Sequence, residues 1–154
     1  MRLLCAEATM FALVRRLILF AAILVSGPLA AADDDSVAPA DAAAIQRVIQ
    51  GQMDAFKIDD WTAAFGYATP GIQQKFQNEQ IFRQMVTQAY QPVYRPRGVE
   101  FRELKASEFG PTQEVRVIGP DGLTYLAYYT MERQADGTWR ISGCYLVRAQ
   151  DESV

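Results

Sequence analysis

The sequence contains no histidine. Histidine is the commonest general base, the usual partner of a serine or cysteine nucleophile and a frequent zinc ligand, so its absence argues against most hydrolases and against a zinc centre. The sequence also lacks a glycine-rich phosphate-binding loop and any cofactor motif. We therefore expect neither a metal nor a cofactor, and we favour a binding domain over an enzyme.

Cysteine is almost as scarce, with only Cys5 and Cys144 in the chain. Cys5 lies in an N-terminal segment that we expect to be removed, so an internal disulfide is excluded and stability must come from the core. Cys144 lies in a predicted strand beside Tyr145 and Leu146. We interpret it as a small buried hydrophobic residue, with a reactive thiol as the alternative.

The N-terminal apolar run, residues 17–25, is shorter than the about 20 apolar residues of a spanning helix. It follows Arg15 and Arg16, and the alanines at residues 30–32 offer a small-residue cleavage site. We expect residues 1–32 to be a secretory signal peptide cleaved after Ala32. The protein is then periplasmic or secreted and free of the membrane, with a retained anchor as the alternative.

The mature chain is acidic. Cleavage after Ala32 leaves 122 residues and removes three arginines and one glutamate, so the formal net charge falls from −3 to −5. An acidic chain argues against nucleic acid or anionic lipid as a partner. The length suits one domain, and we expect a flexible lead-in at residues 33–40, a single domain at 41–150 and a tail at 151–154.

A first helix is predicted to begin at Asp41, which is a suitable N-cap residue. Its apolar stripe at helical spacing comprises Ile45, Val48, Ile49, Met53 and Phe56. Gln52 interrupts this stripe. Because a polar amide facing a core must be hydrogen-bonded, we expect Gln52 either to cap a neighbouring strand or loop or to line a cavity.

Three shorter helices are predicted next. Asp59 or Asp60 is expected to cap a helix over residues 61–68, with Trp61, Phe65 and Ile72 in the core, although paired acids also resemble a carboxylate catalyst. Thr69 and Pro70 predict a second start, for a helix ending at residue 76. Asn78 begins the third, which ends at residues 90–92 and has the buried stripe Ile81, Phe82, Met85, Val86 and Ala89.

After residue 92 the pattern changes to strands. Residues 93–96 are expected to be extended, 99–104 and 114–118 alternate apolar with charged residues, and 119–122 form a turn. A four-residue loop there places Val115 and Val117 on the face of Leu126, and one more residue places them on the opposite face. Helices followed by an antiparallel sheet predict an α+β fold with the helices on one face.

Residues 123–146 predict a β-hairpin with a turn at residues 135–137. The register opposes Glu132 to Arg140 as an ion pair and Tyr129 to Gly143. The face expected to meet the helices carries Tyr125, Ala127, Tyr129, Met131, Trp139, Ile141, Tyr145 and Val147. The other face carries Leu126, Tyr128, Cys144 and Leu146.

The order of a helix, a D-D-W turn, short helices and a sheet ending in D-G-x-W-R-I resembles the nuclear-transport-factor-2-like (NTF2-like, cystatin-like cone) superfamily, and more closely the family called domain of unknown function 4864. The residues that carry the resemblance are Gln52, Ala55, Phe56, Asp60, Ala64, Phe65, Gln73, Phe76, Phe82, Met85, Val86, Tyr90, Gln91, Pro92, Val93, Asp121, Gly122, Tyr128, Asp136, Gly137, Trp139, Arg140, Ile141, Gly143 and Cys144. It implies a curved sheet wrapped around helices, often with a cavity and often a dimer through the sheet. It implies no activity.

Enzymes of this superfamily, such as ketosteroid-isomerase-like proteins, use a pocket carboxylate as base and a hydrogen-bond donor to polarise a carbonyl. The weak catalytic candidates are Asp54 and Asp60, with Asp59 and Glu100 as further carboxylates. The candidate donors are Tyr67, Tyr94, Tyr125 and Tyr129. Surface charges and packed aromatic residues explain all of these equally well, so catalysis is the less favoured alternative.

Two binding hypotheses remain. A pocket between the helices and the tyrosine-rich face would hold a small apolar molecule, with Gln52, Trp61, Tyr125 and Tyr129 as the expected lining. Alternatively, an apolar sheet face serves as a homodimer or partner surface with no ligand at all.

Overall fold

The computed structural model describes residues 37–149. The predicted signal peptide, the start of the lead-in and the predicted tail lie outside the described residues. Within them, helices precede a four-stranded antiparallel sheet, which confirms the predicted α+β fold. The elements are α1 (Pro39–Lys57), α2 (Trp61–Gly66), α3 (Pro70–Phe76), α4 (Glu79–Ala89), α5 (Gln91–Tyr94), β1 (Gly98–Lys105), β2 (Thr112–Ile118), β3 (Thr124–Arg133) and β4 (Trp139–Arg148).

The strands lie in the order β1-β2-β3-β4, and each pairs with its sequence neighbours. Ile118 lies opposite Thr124, so the β2–β3 loop has one residue more than the predicted four-residue turn. This register opposes Val115 to Ala127 and Val117 to Tyr125, and both valines are fully buried. The second of the two predicted registers is therefore the observed one.

The core lies between the helices and one sheet face. The predicted stripe of α1 is confirmed for Ile45, Ile49, Met53 and Phe56, which are all buried. The first three pack against buried residues of the sheet, namely Val115, Val117, Ala127, Tyr129, Met131 and Ile141. A second cluster comprises Ala55, Phe56, Trp61, Ala64, Phe82 and Val86. Helix α1 therefore contributes to both clusters.

Three predicted helix starts are confirmed by side-chain caps. The Asp60 carboxylate accepts a 2.9 Å hydrogen bond from the Ala63 amide. Thr69 caps α3 at 3.4 Å from the Ile72 amide, with Pro70 in the first turn, and Asn78 caps α4 at 3.0 Å from the Ile81 amide. Each side chain satisfies an amide that has no partner inside its helix.

Three predicted boundaries are wrong. Helix α1 begins at Pro39 rather than after Asp41, because the fixed φ of proline suits the first helical turn, so residues 39 and 40 do not belong to a flexible lead-in. Of residues 93–96, which were predicted to be extended, Val93 and Tyr94 instead belong to the short helix α5, with Pro92 in its first turn, where the missing amide does no harm. Helix α2 also ends at Gly66, two residues before the predicted end.

The hairpin register is confirmed near the turn and wrong beyond it. Met131 faces Ile141 as predicted, but a bulge at Ser142 then opposes Thr130 to Gly143 and Tyr129 to Cys144. The extra residue exchanges the two faces of the rest of β4. As a correction to the predicted faces, Cys144 and Leu146 turn towards the helices, whereas Tyr145 and Val147 are exposed on the outer face.

Two smaller expectations also fail. Glu132 and Arg140 are opposite each other but form no ion pair within residues 37–149, because Arg140 instead donates to the carbonyls of Gly66 at 2.8 Å and Ala68 at 3.4 Å. Ile81 is 43% exposed and Ala89 is also exposed, so neither belongs to the buried stripe of α4. No helix within the described residues is long and apolar enough to cross a membrane.

Candidate functional site

A cavity of about 520 Å³ opens between helices α3 and α4 and strand β4. Residues of both core clusters line it, so it lies where the two clusters meet. The lining consists of Gln52, Phe56, Ala68, Ile72, Lys75, Phe76, Phe82, Met85, Val86, Tyr90, Val93, Tyr129, Ile141, Ser142, Gly143 and Cys144. Most of these side chains are apolar, and a few polar groups converge on the interior.

Hydrogen bonds hold the C-terminal end of α2, which lies just before the lining residue Ala68 in the chain. The last carbonyls of a helix have no partner inside it. Here Gln52 donates to the Ala64 carbonyl at 3.1 Å, Gln73 to the Phe65 carbonyl at 3.1 Å and Arg140 to the Gly66 carbonyl at 2.8 Å. Side chains from α1, α3 and β4 therefore hold the end of α2 in place.

The loop after α2 is attached directly to the edge of the sheet. The Ile141 amide donates to the Tyr67 carbonyl at 2.9 Å, and the Thr69 amide donates to the Ile141 carbonyl at the same distance. Ala68, between these two loop residues, is buried and borders the cavity. This short parallel bridge holds the two lining residues Ala68 and Ile141 next to each other.

The bulge in β4 forms another wall. Ser142, Gly143 and Cys144 all border the cavity, and the Tyr90 hydroxyl donates to the Cys144 carbonyl at 2.9 Å. A bulge redirects side chains without ending the strand. Because Ser142 is the extra residue, the strand turns Cys144 inward and presents the 142–144 segment to the cavity.

Tyr129 is fully buried, and its hydroxyl makes no hydrogen bond with the described residues. The Cys144 thiol is near enough to influence its pKa but does not meet hydrogen-bonding geometry. Burial raises the pKa of Tyr129 well above its ordinary value. The hydroxyl is therefore neutral at any physiological pH.

Burial also raises the pKa of Cys144 to about 12. Because the thiolate is the nucleophilic form, a protonated thiol is unreactive at neutral pH, which supports the interpretation of Cys144 as a packing residue. Lys75 is the single charged residue of the lining, and it is exposed. Within the described part of the chain no three His, Cys, Asp or Glu residues cluster closely enough to hold a metal ion.

Residues 38–154 match the family described as Domain of unknown function (DUF4864). The chain belongs to this family. Comparisons with curated proteins and with solved structures gave no match. The DUF4864 match includes every residue that lines the cavity.

Of the four predicted lining residues of this DUF4864 domain, Gln52 and Tyr129 border the cavity. Trp61 lies in the second core cluster instead, with its ring centroid 5.4 Å from that of Tyr94. Tyr125 lies near the β2–β3 turn and donates a 2.7 Å hydrogen bond to Asp121. The structure therefore brings together two of the four residues and places the other two elsewhere.

None of the predicted carboxylates lines the cavity. Asp54 is exposed, and its 2.8 Å hydrogen bond from Lys57 lowers its pKa, whereas Asp60 caps α2. Asp59 binds the Tyr94 hydroxyl at 2.7 Å and the Arg95 guanidinium at 2.8 Å. The remaining candidates also lie outside the lining, namely Glu100, which is paired with Arg102 and Arg116, and Tyr67.

Sequence reasoning missed most of the cavity lining. Phe82, Met85 and Val86 belong to the predicted apolar stripe of α4, and a stripe alone does not reveal whether it meets protein or open space. Ser142 was missed because the bulge was not predicted. Two signals did point to this site, namely the interruption of the α1 stripe by Gln52 and the tyrosine-rich sheet face that carries Tyr129.

Proposed function

We propose that this DUF4864 domain is a non-catalytic binding module for a small, largely apolar molecule held in the cavity. The observation that carries the proposal is the cavity itself, about 520 Å³ in volume and lined by apolar and aromatic side chains with few polar groups. Small-molecule sites in proteins have this size and composition.

The placement of the carboxylates favours binding over catalysis. An isomerase of the ketosteroid-isomerase type needs a carboxylate base within reach of its substrate. Asp54 and Asp60, the two candidate bases, lie outside the lining and are occupied by Lys57 and by the start of α2. The polar groups that do border the cavity include an amide, hydroxyls and a protonated thiol, all of which suit recognition of an uncharged molecule.

The experiment is a titration with N-phenyl-1-naphthylamine, an uncharged apolar dye whose fluorescence rises in apolar sites. Met85→Trp places a larger side chain in the cavity, and we expect it to weaken dye binding roughly tenfold or more. The matched control is Ile81→Trp, one turn earlier on α4, at an exposed residue outside the lining. It should retain wild-type affinity.

Equal affinity in wild type and Met85→Trp, with circular dichroism spectra unchanged, would contradict the proposal. So would the absence of any dye binding by the wild type. Native mass spectrometry of protein purified from its own host adds an independent measurement, in which a copurifying small molecule of constant mass is expected and should be lost from Met85→Trp.

We also propose that the fold is NTF2-like. The first support is the set of residues that resemble this superfamily, among them the W-R-I segment at the start of β4. The second is the packing of helices on one face of a four-stranded sheet. Bulges in β1 and β4 add curvature to the sheet, as expected for a cone. An experimental structure that superimposes poorly on superfamily members would contradict this placement.

Export is a further proposal. Arg15 and Arg16 before the apolar run at residues 17–25, followed by the alanines at 30–32, support a cleaved signal peptide and a periplasmic or secreted protein. The intact mass of protein from its host is expected to correspond to a chain that begins at Asp33. A mass that retains residues 1–32 would favour the anchored alternative.

A second candidate, a homodimer through the sheet, is favoured by one observation. The outer face exposes Tyr145 by 53% and Val147 by 46%, and the Tyr145 ring stacks on Tyr128 with centroids 4.7 Å apart. Light scattering after size exclusion tests it, since a dimer that becomes monomeric in Tyr145→Lys supports this interface. A wild-type monomer at high concentration contradicts it.

A further inference from the structure

We infer that the cavity selects an uncharged ligand with a hydrogen-bond donor, such as a hydroxyl group, which donates to Oε1 of Gln52. The inference rests on the proposed binding function and goes further by naming the ligand class and the atom that recognises it. Gln52 is only 5% exposed, and it borders the cavity.

The orientation of the Gln52 amide follows from its partner. Nε2 lies 3.1 Å from the Ala64 carbonyl oxygen. A carbonyl oxygen can only accept hydrogen bonds, so the NH₂ group must face it and the amide oxygen must point elsewhere. The amide therefore has one fixed end, at α2, and a free acceptor at the other end.

The free acceptor reaches the cavity. Oε1 accepts no hydrogen bond from the described residues. Within residues 37–149, the only fully buried side-chain atoms that lack a partner are Trp61 Nε1 and Tyr129 Oη, so the unpartnered Oε1 must be accessible. Gln52 is only 5% exposed and borders the cavity, so we place this accessible oxygen at the cavity.

A nearly buried acceptor discriminates strongly between ligands. A ligand that supplies a donor completes the hydrogen bonding of the amide, whereas a hydrocarbon of the same shape displaces water and leaves Oε1 unpaired. An anionic group would meet this oxygen unfavourably, and the one cation of the lining, Lys75, is exposed. An uncharged hydrogen-bond donor on an apolar body, such as an alcohol or a phenol, therefore fits best.

The test uses two probes of matched shape, 2-naphthol and 2-methylnaphthalene, which differ by a hydroxyl in place of a methyl group. Their dissociation constants are measured for wild type and for Gln52→Met, which keeps the length of the side chain and removes the acceptor. We expect the preference for 2-naphthol relative to 2-methylnaphthalene to fall about tenfold in Gln52→Met.

The matched control is Gln73→Met. Gln73 also caps the end of α2, through 3.1 and 3.2 Å hydrogen bonds to the Phe65 and Ala68 carbonyls, but it does not line the cavity. Loss of an α2 cap without loss of the acceptor should leave the ratio of the two dissociation constants unchanged. If the substitution only disturbs the fold, both probes bind more weakly by the same factor and the ratio of their dissociation constants stays the same.

The outcomes separate the two proposals. If both probes bind wild type, Met85→Trp blocks both and Gln52→Met leaves the ratio unchanged, the role of Gln52 is wrong and the binding function stands. If neither probe binds wild type at its solubility limit, the binding function itself is contradicted, and this inference fails with it. A ratio that falls equally in Gln73→Met also overturns it.

Discussion

Tyr129 and Tyr90 lie close together at the cavity but differ in what their hydroxyls do. The Tyr90 hydroxyl donates to the Cys144 carbonyl at 2.9 Å, whereas the Tyr129 hydroxyl has no hydrogen-bond partner among the described residues. Removing a buried polar group that has no partner breaks no hydrogen bond and so does not lower stability through such a loss. Removal of the hydroxyl group should therefore affect the stability of the protein differently at these two tyrosines.

We predict that Tyr129→Phe leaves the free energy of unfolding unchanged or raises it by up to about 1 kcal/mol, because no hydrogen bond is lost. Tyr90→Phe, the control, should lower it by about 1 kcal/mol, since the Cys144 carbonyl loses its donor. Urea denaturation in the absence of added ligand measures both. A clear destabilisation by Tyr129→Phe would show that its hydroxyl has a structural partner.

The buried thiol of Cys144 should make the stability of the protein depend on pH. Its pKa is raised to about 12 in the folded protein because the thiol is buried, so the folded state holds this proton more tightly than the unfolded state. The resulting stabilisation is complete below the unfolded pKa and is lost as pH rises towards 12. Between pH 9 and 10 the thiol should account for a decrease of about 1 kcal/mol in the free energy of unfolding.

Cys144→Ala removes this contribution. We expect its stability to decrease less than that of wild type between pH 9 and 10, measured by urea denaturation at each pH. The comparison is between slopes, so a constant loss of stability from the smaller side chain does not affect it. Identical slopes would mean that the thiol titrates normally and is not buried in the folded protein.

At the scale of elements, the short helix α2 depends on neighbours for its C-terminal end. Arg140 in β4 donates to the Gly66 carbonyl at 2.8 Å. We predict that Arg140→Met lowers the free energy of unfolding by about 1–2 kcal/mol, because two carbonyls lose a charged donor. The measurement is chemical denaturation at neutral pH.

Arg133 is the control on the same hairpin. Its guanidinium lies 3.9 Å from the Asp41 carboxylate, and its side chain is 58% exposed. An ion pair of this kind contributes little, so Arg133→Met should change stability by less than about 0.5 kcal/mol. If the two variants are equally stable, the link between β4 and α2 has no energetic role.

The elements also show which features a sequence can reveal. Caps at Asp60, Thr69 and Asn78 were predictable because each acts on an amide three residues away. The bulge at Ser142 was not, because nothing in the local pattern marks an extra residue. The half of β4 beyond it was therefore assigned to the wrong faces.

In the candidate site, too, local features were predictable and features that depend on packing were not. Gln52 was predictable as a polar interruption of an apolar stripe. The structure places it in the cavity lining, and its amide caps the end of helix α2 rather than a strand or loop. Its partner, the Ala64 carbonyl, depends on how two helices pack and carries no sequence signal. Trp61 and Tyr125 were misplaced because aromatic residues look alike in sequence whether they fill a core or border a cavity.

At the scale of the whole molecule, the cavity joins distant parts of the chain. Its lining comes from α1, α3, α4, α5, β3 and β4, together with the loops between them, so the proposed binding site exists only when these elements are folded together. A ligand that binds only the folded state must stabilise all of these elements together. The site also lies within one chain, and its affinity should not depend on protein concentration.

We predict that N-phenyl-1-naphthylamine at about one hundred times its dissociation constant raises the free energy of unfolding by about 2.7 kcal/mol. Met85→Trp should show almost none of this stabilisation, and Tyr145→Lys on the outer sheet face should show all of it, because it leaves the lining intact. Thermal unfolding followed by circular dichroism, repeated over a range of protein concentrations, measures the effect. Stabilisation that disappears in Tyr145→Lys or grows with protein concentration would place the dye at a sheet-face interface instead of in the cavity.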